Sequence, residues 1–145
     1  MLLTHMADLP AENLVSARSL AECTHVPQPT VSKLLKMLSR AKLLEAQRGK
    51  GGGYRLAFAP NAISVAQIIE CVEGPVAMTD CSTSDGAGCG IEGTCRVKHN
   101  WQKINSVVFD ALSALTLADM RKPIEDSLDQ YKIQTSHSSL VALGR

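Results

Sequence analysis

The chain has few aromatic residues: one tryptophan, two tyrosines and two phenylalanines, 3% of 145 residues. A core of stacked rings is excluded, and Leu, Ile, Val and Ala must fill the interior, which favours aliphatic helices. Charge of one sign is also lacking. The net charge is +1, so the overall balance says nothing about nucleic acid. Long apolar runs are absent as well, and the opening Met1-Leu2-Leu3 is far too short for a bilayer span of about 20 residues. No charged n-region with an apolar stretch and cleavage site opens the chain, and the expected location is cytoplasmic, without a membrane partner. The five cysteines are an odd number, which does not suit a disulfide framework. Clustered thiols in a reducing compartment are ligands or redox groups. An enzyme is not expected either. Cys89 or Cys95 with His99 would make a nucleophile and base, but no third orienting group or substrate cradle accompanies them.

The charge that is present is unevenly spread. Between Thr30 and Tyr54 the bases are Lys33, Lys36, Arg40, Lys42, Arg48 and Lys50, against the single acid Glu45, whereas from Ala59 onward acids outnumber bases. A locally basic stretch on a near-neutral chain marks a phosphate-facing surface better than the overall balance does. On charge alone, a solvated helix face is the plainer reading.

Hydrophobic periodicity puts this stretch on a helix-turn-helix and a hairpin. An apolar helix over residues 2–9 is ended by Pro10. Ser16 N-caps a helix Ala17–Cys23, and Thr24 to Pro27 form a turn. Pro29 opens a second helix, where its missing N–H costs nothing. Val31, Leu34, Leu35 and Leu38 recur on one face of that helix as far as Arg40. Two strands come next, Leu43–Ala46 and Tyr54–Phe58, joined by the basic turn Arg48-Gly49-Lys50-Gly51-Gly52-Gly53. A hairpin after a helix-turn-helix is a wing, with Arg48 and Lys50 placed to reach a groove or phosphates. A nucleotide phosphate loop is the lesser reading, because the Walker-type glycine–lysine pattern is missing.

Ser64-Val65-Ala66-Gln67 is a capping box opening a helix through Val72, with Gly74 beyond its end and Val65, Ile68, Ile69 and Val72 on its apolar face. Further on, Val97, Trp101, Ile104, Val108, Ala111 and Leu115 recur at alternating steps of four and three, a coiled-coil-like seam. One such helix cannot bury its stripe alone, so a homodimer is predicted; packing back onto its own domain is the alternative. Thr116-Leu117-Ala118-Asp119 is expected to cap a short helix before Pro123, and Gln134 to Arg145 to fray. The fold class is therefore mainly α with a small β-hairpin wing: a winged helix-turn-helix plus a long C-terminal dimerisation helix.

Three cysteines share one glycine-rich stretch, Cys81-STSDGAG-Cys89-GIEGT-Cys95. Small residues between thiols let the backbone wrap a metal centre without steric cost. On ligand type alone, zinc and an iron–sulfur cluster suit it equally. His99 would complete a three-cysteine, one-histidine zinc site, although the short cysteine knuckle usual for zinc is absent. Cys23 and Cys71 lie on helix faces and are expected to be buried small hydrophobes.

Several segments together resemble the iron–sulfur cluster-sensing winged-helix regulators: Val26-Pro27-Gln28-Pro29-Thr30-Val31-Ser32-Lys33-Leu34-Leu35, the turn Arg48 to Gly53 with Tyr54-Arg55-Leu56-Ala57, Ile63-Ser64-Val65, Glu73-Gly74-Pro75, and the spaced cysteines. Trp101-Gln102-Lys103-Ile104-Asn105 and Leu117-Ala118-Asp119-Met120 are most similar to the Suf-operon regulator branch. The resemblance implies a dimer on a near-palindromic double-stranded DNA operator. It implies an iron–sulfur cluster, 2Fe–2S or 4Fe–4S, held by Cys81, Cys89 and Cys95 with a fourth ligand that varies within the family. His99 is the candidate for that position; Asp80, Glu92, a cross-subunit ligand and solvent are alternatives. Its DNA-reading surface maps onto Gln28, Pro29, Thr30, Ser32, Lys33 and Lys36 with Arg48 and Lys50 of the wing. Genes of iron–sulfur assembly are the implied targets, and a zinc-stabilised DNA-binding or adaptor protein is the alternative.

Two departures from the family pattern stand out. The first helix begins about a turn later than usual, and in this register Asp8 does not take the family's ligand position. Lys42 stands where the family has glycine; a left-handed backbone there would cost about 1 kcal/mol. The expected division is 1–75 for the winged helix-turn-helix, 76–96 for the cysteine-rich loop, 97–122 for the dimerisation helix region and 123–145 for the tail.

Overall fold

Two of the helices start where a serine satisfies their first N–H groups. Ser16 Oγ accepts from the Ser19 N–H at 3.1 Å. Ser64 and Gln67 exchange bonds, the Gln67 N–H donating to Ser64 Oγ at 3.2 Å and the Ser64 N–H to Gln67 Oε1 at 2.9 Å, which is the predicted capping box. The computed structural model describes residues 1–79 and 94–122; Asp80, Cys81, Cys89, Glu92 and the tail from Pro123 lie outside them. The elements are α1 (Leu2–Ala7), α2 (Ala17–Thr24), α3 (Gln28–Arg40), β1 (Leu44–Gln47), β2 (Gly53–Leu56), α4 (Val65–Glu73) and α5 (Lys98–Ala114), with 3-10 turns at Pro60–Ala62 and Asp119–Arg121.

The core lies between α1, α2 and α3, closed on one side by the hairpin. Leu20, Val31, Leu35, Ile63 and Leu117 are almost wholly enclosed, with Leu3, Met6, Leu38, Leu43 and Leu44 around them. Each such aliphatic side chain contributes about 1.5–3 kcal/mol on burial. Val31, Leu35 and Leu38 point inward as their spacing predicted, whereas Leu34 is half-buried.

Element ends differ from expectation by one or two residues. The first helix stops at Ala7 rather than residue 9, closed by Asp8. Asp8 instead pairs with Arg121 at 2.6 Å, tying α1 to the far end of the described chain. α2 runs one residue longer, to Thr24, whose buried hydroxyl donates to the Leu20 carbonyl at 2.6 Å. The first strand begins at Leu44 rather than Leu43, because the Leu43 N–H is committed to the Leu38 carbonyl at 3.0 Å. Strand β2 runs from Gly53 to Leu56 and leaves Phe58 54% exposed. The hairpin is antiparallel, with Leu44 opposite Leu56 and Gln47 opposite Gly53.

The turn from α3 into β1 obeys a defined rule. Lys42 has φ 60°, its N–H donates to the Ser39 carbonyl at 3.1 Å, and the Leu43 N–H reaches back to Leu38. This is a Schellman helix end with lysine at the left-handed position. Leu38 and Leu43, whose side chains accompany the motif, are both buried.

α4 corrects the expected apolar face. Its buried residue is Ala66, while Val65, Ile68, Ile69 and Val72 are only half-buried. Val65, Ile68 and Val72 line an apolar groove of about 350 Å³ with Leu2, Leu34 and Leu117. α5 packs against α4, yet none of its residues is buried. The chain leaving α5 returns to the core: the Val65 N–H donates to the Leu115 carbonyl and the Leu117 N–H to the Ile63 carbonyl, each at 2.8 Å. As predicted, Thr116 and Asp119 form a cap at this point. The Thr116 N–H and hydroxyl donate to Asp119 Oδ2 at 2.9 and 2.6 Å, and the Asp119 N–H donates to Thr116 Oγ1 at 3.3 Å.

Replacing Lys42 by glycine removes the left-handed penalty. A gain of about 0.5–1 kcal/mol is expected, read as a higher urea midpoint with unchanged slope; a loss would mean that the lysine side chain makes a compensating contact.

Candidate nucleic-acid interface and thiol segment

Burying Val31, Leu35 and Leu38 turns the opposite stripe of α3 to solvent. Gln28, Pro29, Thr30, Lys33 and Lys36 are exposed and Ser32 is half-buried. The wing tip carries Arg48 and Lys50, both exposed. Glu45, the lone acid of the basic stretch, is bonded to Arg55 across the hairpin at 2.7 Å. It therefore does not neutralise α3 or the wing tip.

The glycine turn that carries Arg48 and Lys50 has specific steric causes. Gly51 takes φ +84°, a region that side chains resist. A Cβ on Gly53 would lie 2.8 Å from the Val15 carbonyl oxygen. The approach is close because Val15 and Tyr54 exchange two backbone hydrogen bonds, each 2.9 Å. Val15, which lies between α1 and α2, is thus bridged to the hairpin and braces the wing.

Of the predicted metal ligands, only Cys95 and His99 fall within the described residues. Cys95 is half-buried and free, just before α5, with its carbonyl accepting from the Lys98 N–H at 3.5 Å. His99 is exposed in the first turn of α5. Among the described residues no three His, Cys, Asp or Glu side chains form a metal-sized cluster. Cys23 is exposed, contrary to expectation, because it lies on the outer face of α2. Cys71 packs against the core, and desolvation pushes its thiol pKa up.

One structural residue was missed in the sequence. Asn105, midway along α5, accepts from the Met78 N–H at 2.9 Å and donates to the Val76 carbonyl at 3.0 Å. It holds the segment just before Cys81 against the helix that begins just after Cys95. The available signal was asparagine inside a helix, a poor helix former that is usually there because it bonds to backbone elsewhere.

A helix-turn-helix with an exposed basic recognition stripe and a braced hairpin defines the winged-helix class of DNA-binding regulators. The chain belongs to the Rrf2 family, described as "Iron-dependent Transcriptional regulator", which it matches over residues 1–123. Among solved structures it is similar to CymR, the global cysteine regulator of B. subtilis (26% identity, 83% of this chain and 89% of that one, TM-score 0.62). It is also similar to T. potens IscR (27% identity, 93% of this chain and 86% of that one, TM-score 0.61). Staphylococcus aureus CymR is a third such structure (26% identity, 84% of this chain and 90% of that one, TM-score 0.62). The family is one of transcriptional regulators rather than enzymes. No described helix is long and apolar enough to cross a membrane.

Asn105→Ala removes both bonds to the Val76–Met78 backbone. A loss of about 1–3 kcal/mol is expected, with faster amide exchange at Met78; unchanged exchange there would show that the segment is held by other contacts.

Proposed function

We propose that the chain is a cytoplasmic, dimeric transcriptional regulator that carries an iron–sulfur cluster and controls iron–sulfur assembly genes from a near-palindromic operator. The carrying observation is membership of an iron-dependent regulator family in a chain with three closely spaced cysteines after its wing. Cys81, Cys89 and Cys95 hold the cluster, and His99 is the candidate fourth ligand. The donor chemistry fits, since thiolates suit such clusters and histidine replaces cysteine in some of them. When bound, the cluster supplies iron that is incompletely thiolate-ligated and therefore open to oxygen, peroxide or nitric oxide.

The chain's own residues relay that state. Cys95 lies at the start of α5, and Asn105 holds the segment before Cys81 against the same helix. α5 in turn packs on α4, and α4 on α3. Rearranging the ligand segment thus shifts α5 relative to the recognition helix. DNA is read by Gln28, Pro29, Thr30, Ser32, Lys33 and Lys36 of α3 and by Arg48 and Lys50 of the wing.

Dimerisation runs along Val97, Trp101, Ile104, Val108, Ala111 and Leu115. Support comes from exposure: Val97 is 49%, Trp101 37% and Ile104 44% accessible. Large side chains exposed along one helix face are covered most economically by a second copy of the same helix.

Anaerobic purification followed by visible spectroscopy, with iron, sulfide and zinc analysis, tests the cofactor. Coloured protein containing iron and sulfide that bleaches in Cys89→Ala is expected. Colourless protein with stoichiometric zinc would make the loop a structural site. Metal-free protein would overturn the cluster reading and align the chain with its cysteine-regulator relatives. Separately, Ile104→Glu should convert dimer to monomer in sedimentation at micromolar concentration, and a persistent dimer would place the interface elsewhere.

A further inference from the structure

Between the second half of α3 and the wing the surface folds into a cleft of about 500 Å³. Its walls carry Lys36, Ser39 and Arg40 from α3, Arg48 and Tyr54 from the hairpin, and Ser16 from the start of α2. No carboxylate lines it. Among the described residues, the ion pairs engage Arg18, Arg55 and Arg121 but none of Lys36, Arg40 and Arg48. Three unopposed cations around a concave surface create a focused positive potential whose natural partner is an anion.

The position of the cleft indicates which anion. A recognition helix in a major groove and a wing reaching the neighbouring minor groove are separated by one sugar–phosphate strand. That strand must pass between helix and wing, and so across this cleft. Lys36 and Arg40 lie four residues apart on the same outward stripe of α3 as Ser32, so the stripe runs from the base-reading end into the cleft.

We infer that the cleft seats a DNA backbone phosphate, with Arg40 as its principal donor and Lys36 and Arg48 as flanking charges. The assignment rests on α3 and the wing as the DNA-reading face, and it gives a specific place on it to Arg40, one of the bases of the locally basic stretch that is not among the DNA-reading residues implied by the family resemblance. The guanidinium offers a planar pair of N–H donors matched to two phosphate oxygens. A phosphate contact fixes the depth and register of the helix in the groove and carries no base information. Arg40 therefore sets affinity and leaves sequence preference to the other end of α3.

The test compares the unsubstituted protein with Arg40→Gln and Arg40→Lys. Each is titrated over a range of salt on a duplex selected by the protein itself from a random pool, and on a scrambled duplex of equal length. Arg40→Gln is expected to weaken both duplexes by a similar factor, about tenfold, and to lower the slope of log affinity against log salt by about 1. Arg40→Lys should restore the slope. A neutral methylphosphonate scanned along the selected duplex should have one position that weakens the unsubstituted protein and leaves Arg40→Gln unaffected. An unchanged slope in Arg40→Gln, or loss of discrimination between the duplexes, overturns the phosphate seat while leaving DNA reading intact. Failure of the unsubstituted protein to bind either duplex overturns the DNA-reading face and the seat together.

Discussion

The burial of one aliphatic face of α3 governs the rest of the molecule. Val31, Leu35 and Leu38 are held against Leu20, Leu43 and Leu117 in one core cluster. With about 3.6 residues per turn, enclosing these positions leaves Lys33, Lys36 and Arg40 no alternative to the outer side. The recognition surface is thus a by-product of core packing. It is rigid because moving it would expose several leucines, at about 1.5–3 kcal/mol each.

The end of α3 converts that rigidity into wing placement. The left-handed Lys42 reverses the chain so that Leu43 buries beside Leu38, its partner in the helix-end motif, and β1 starts at once. The wing is then braced a second time, by the Val15 and Tyr54 backbone bonds. Helix and wing are thus attached to the core on both sides of the cleft between them. A mild backbone strain at lysine is offset by two buried leucines, so the position tolerates a residue other than glycine.

A similar double attachment governs α5. Its C-terminal end is welded to the core through Leu117 and the bonds around Ile63 and Val65, while its middle is fastened by Asn105 to the Val76–Met78 backbone. The residues flanking the segment 80–93 therefore act on one helix. Trp101 and Ile104 of that helix, with Val97 at its start, are exposed, so the segment carrying the thiols and the apolar seam are mechanically joined.

What the sequence by itself determined was local: the serine caps of α2 and α4, the inward face of α3, the basic glycine turn, and the Thr116–Asp119 cap. These rest on neighbours within a few residues, where spacing dictates geometry. Strand ends slipped by one or two positions because Leu43 was claimed by the helix end, a competition that periodicity does not register. Tertiary structure alone decided that Ala66 rather than Val65 or Ile68 turns fully inward, that Cys23 faces water, that Asn105 reaches across to Val76 and Met78, and that Arg40 joins Arg48 around one cleft. Each of these depends on which elements meet in space, and contacts between residues tens of positions apart are set by the packing of whole helices, which no local pattern encodes.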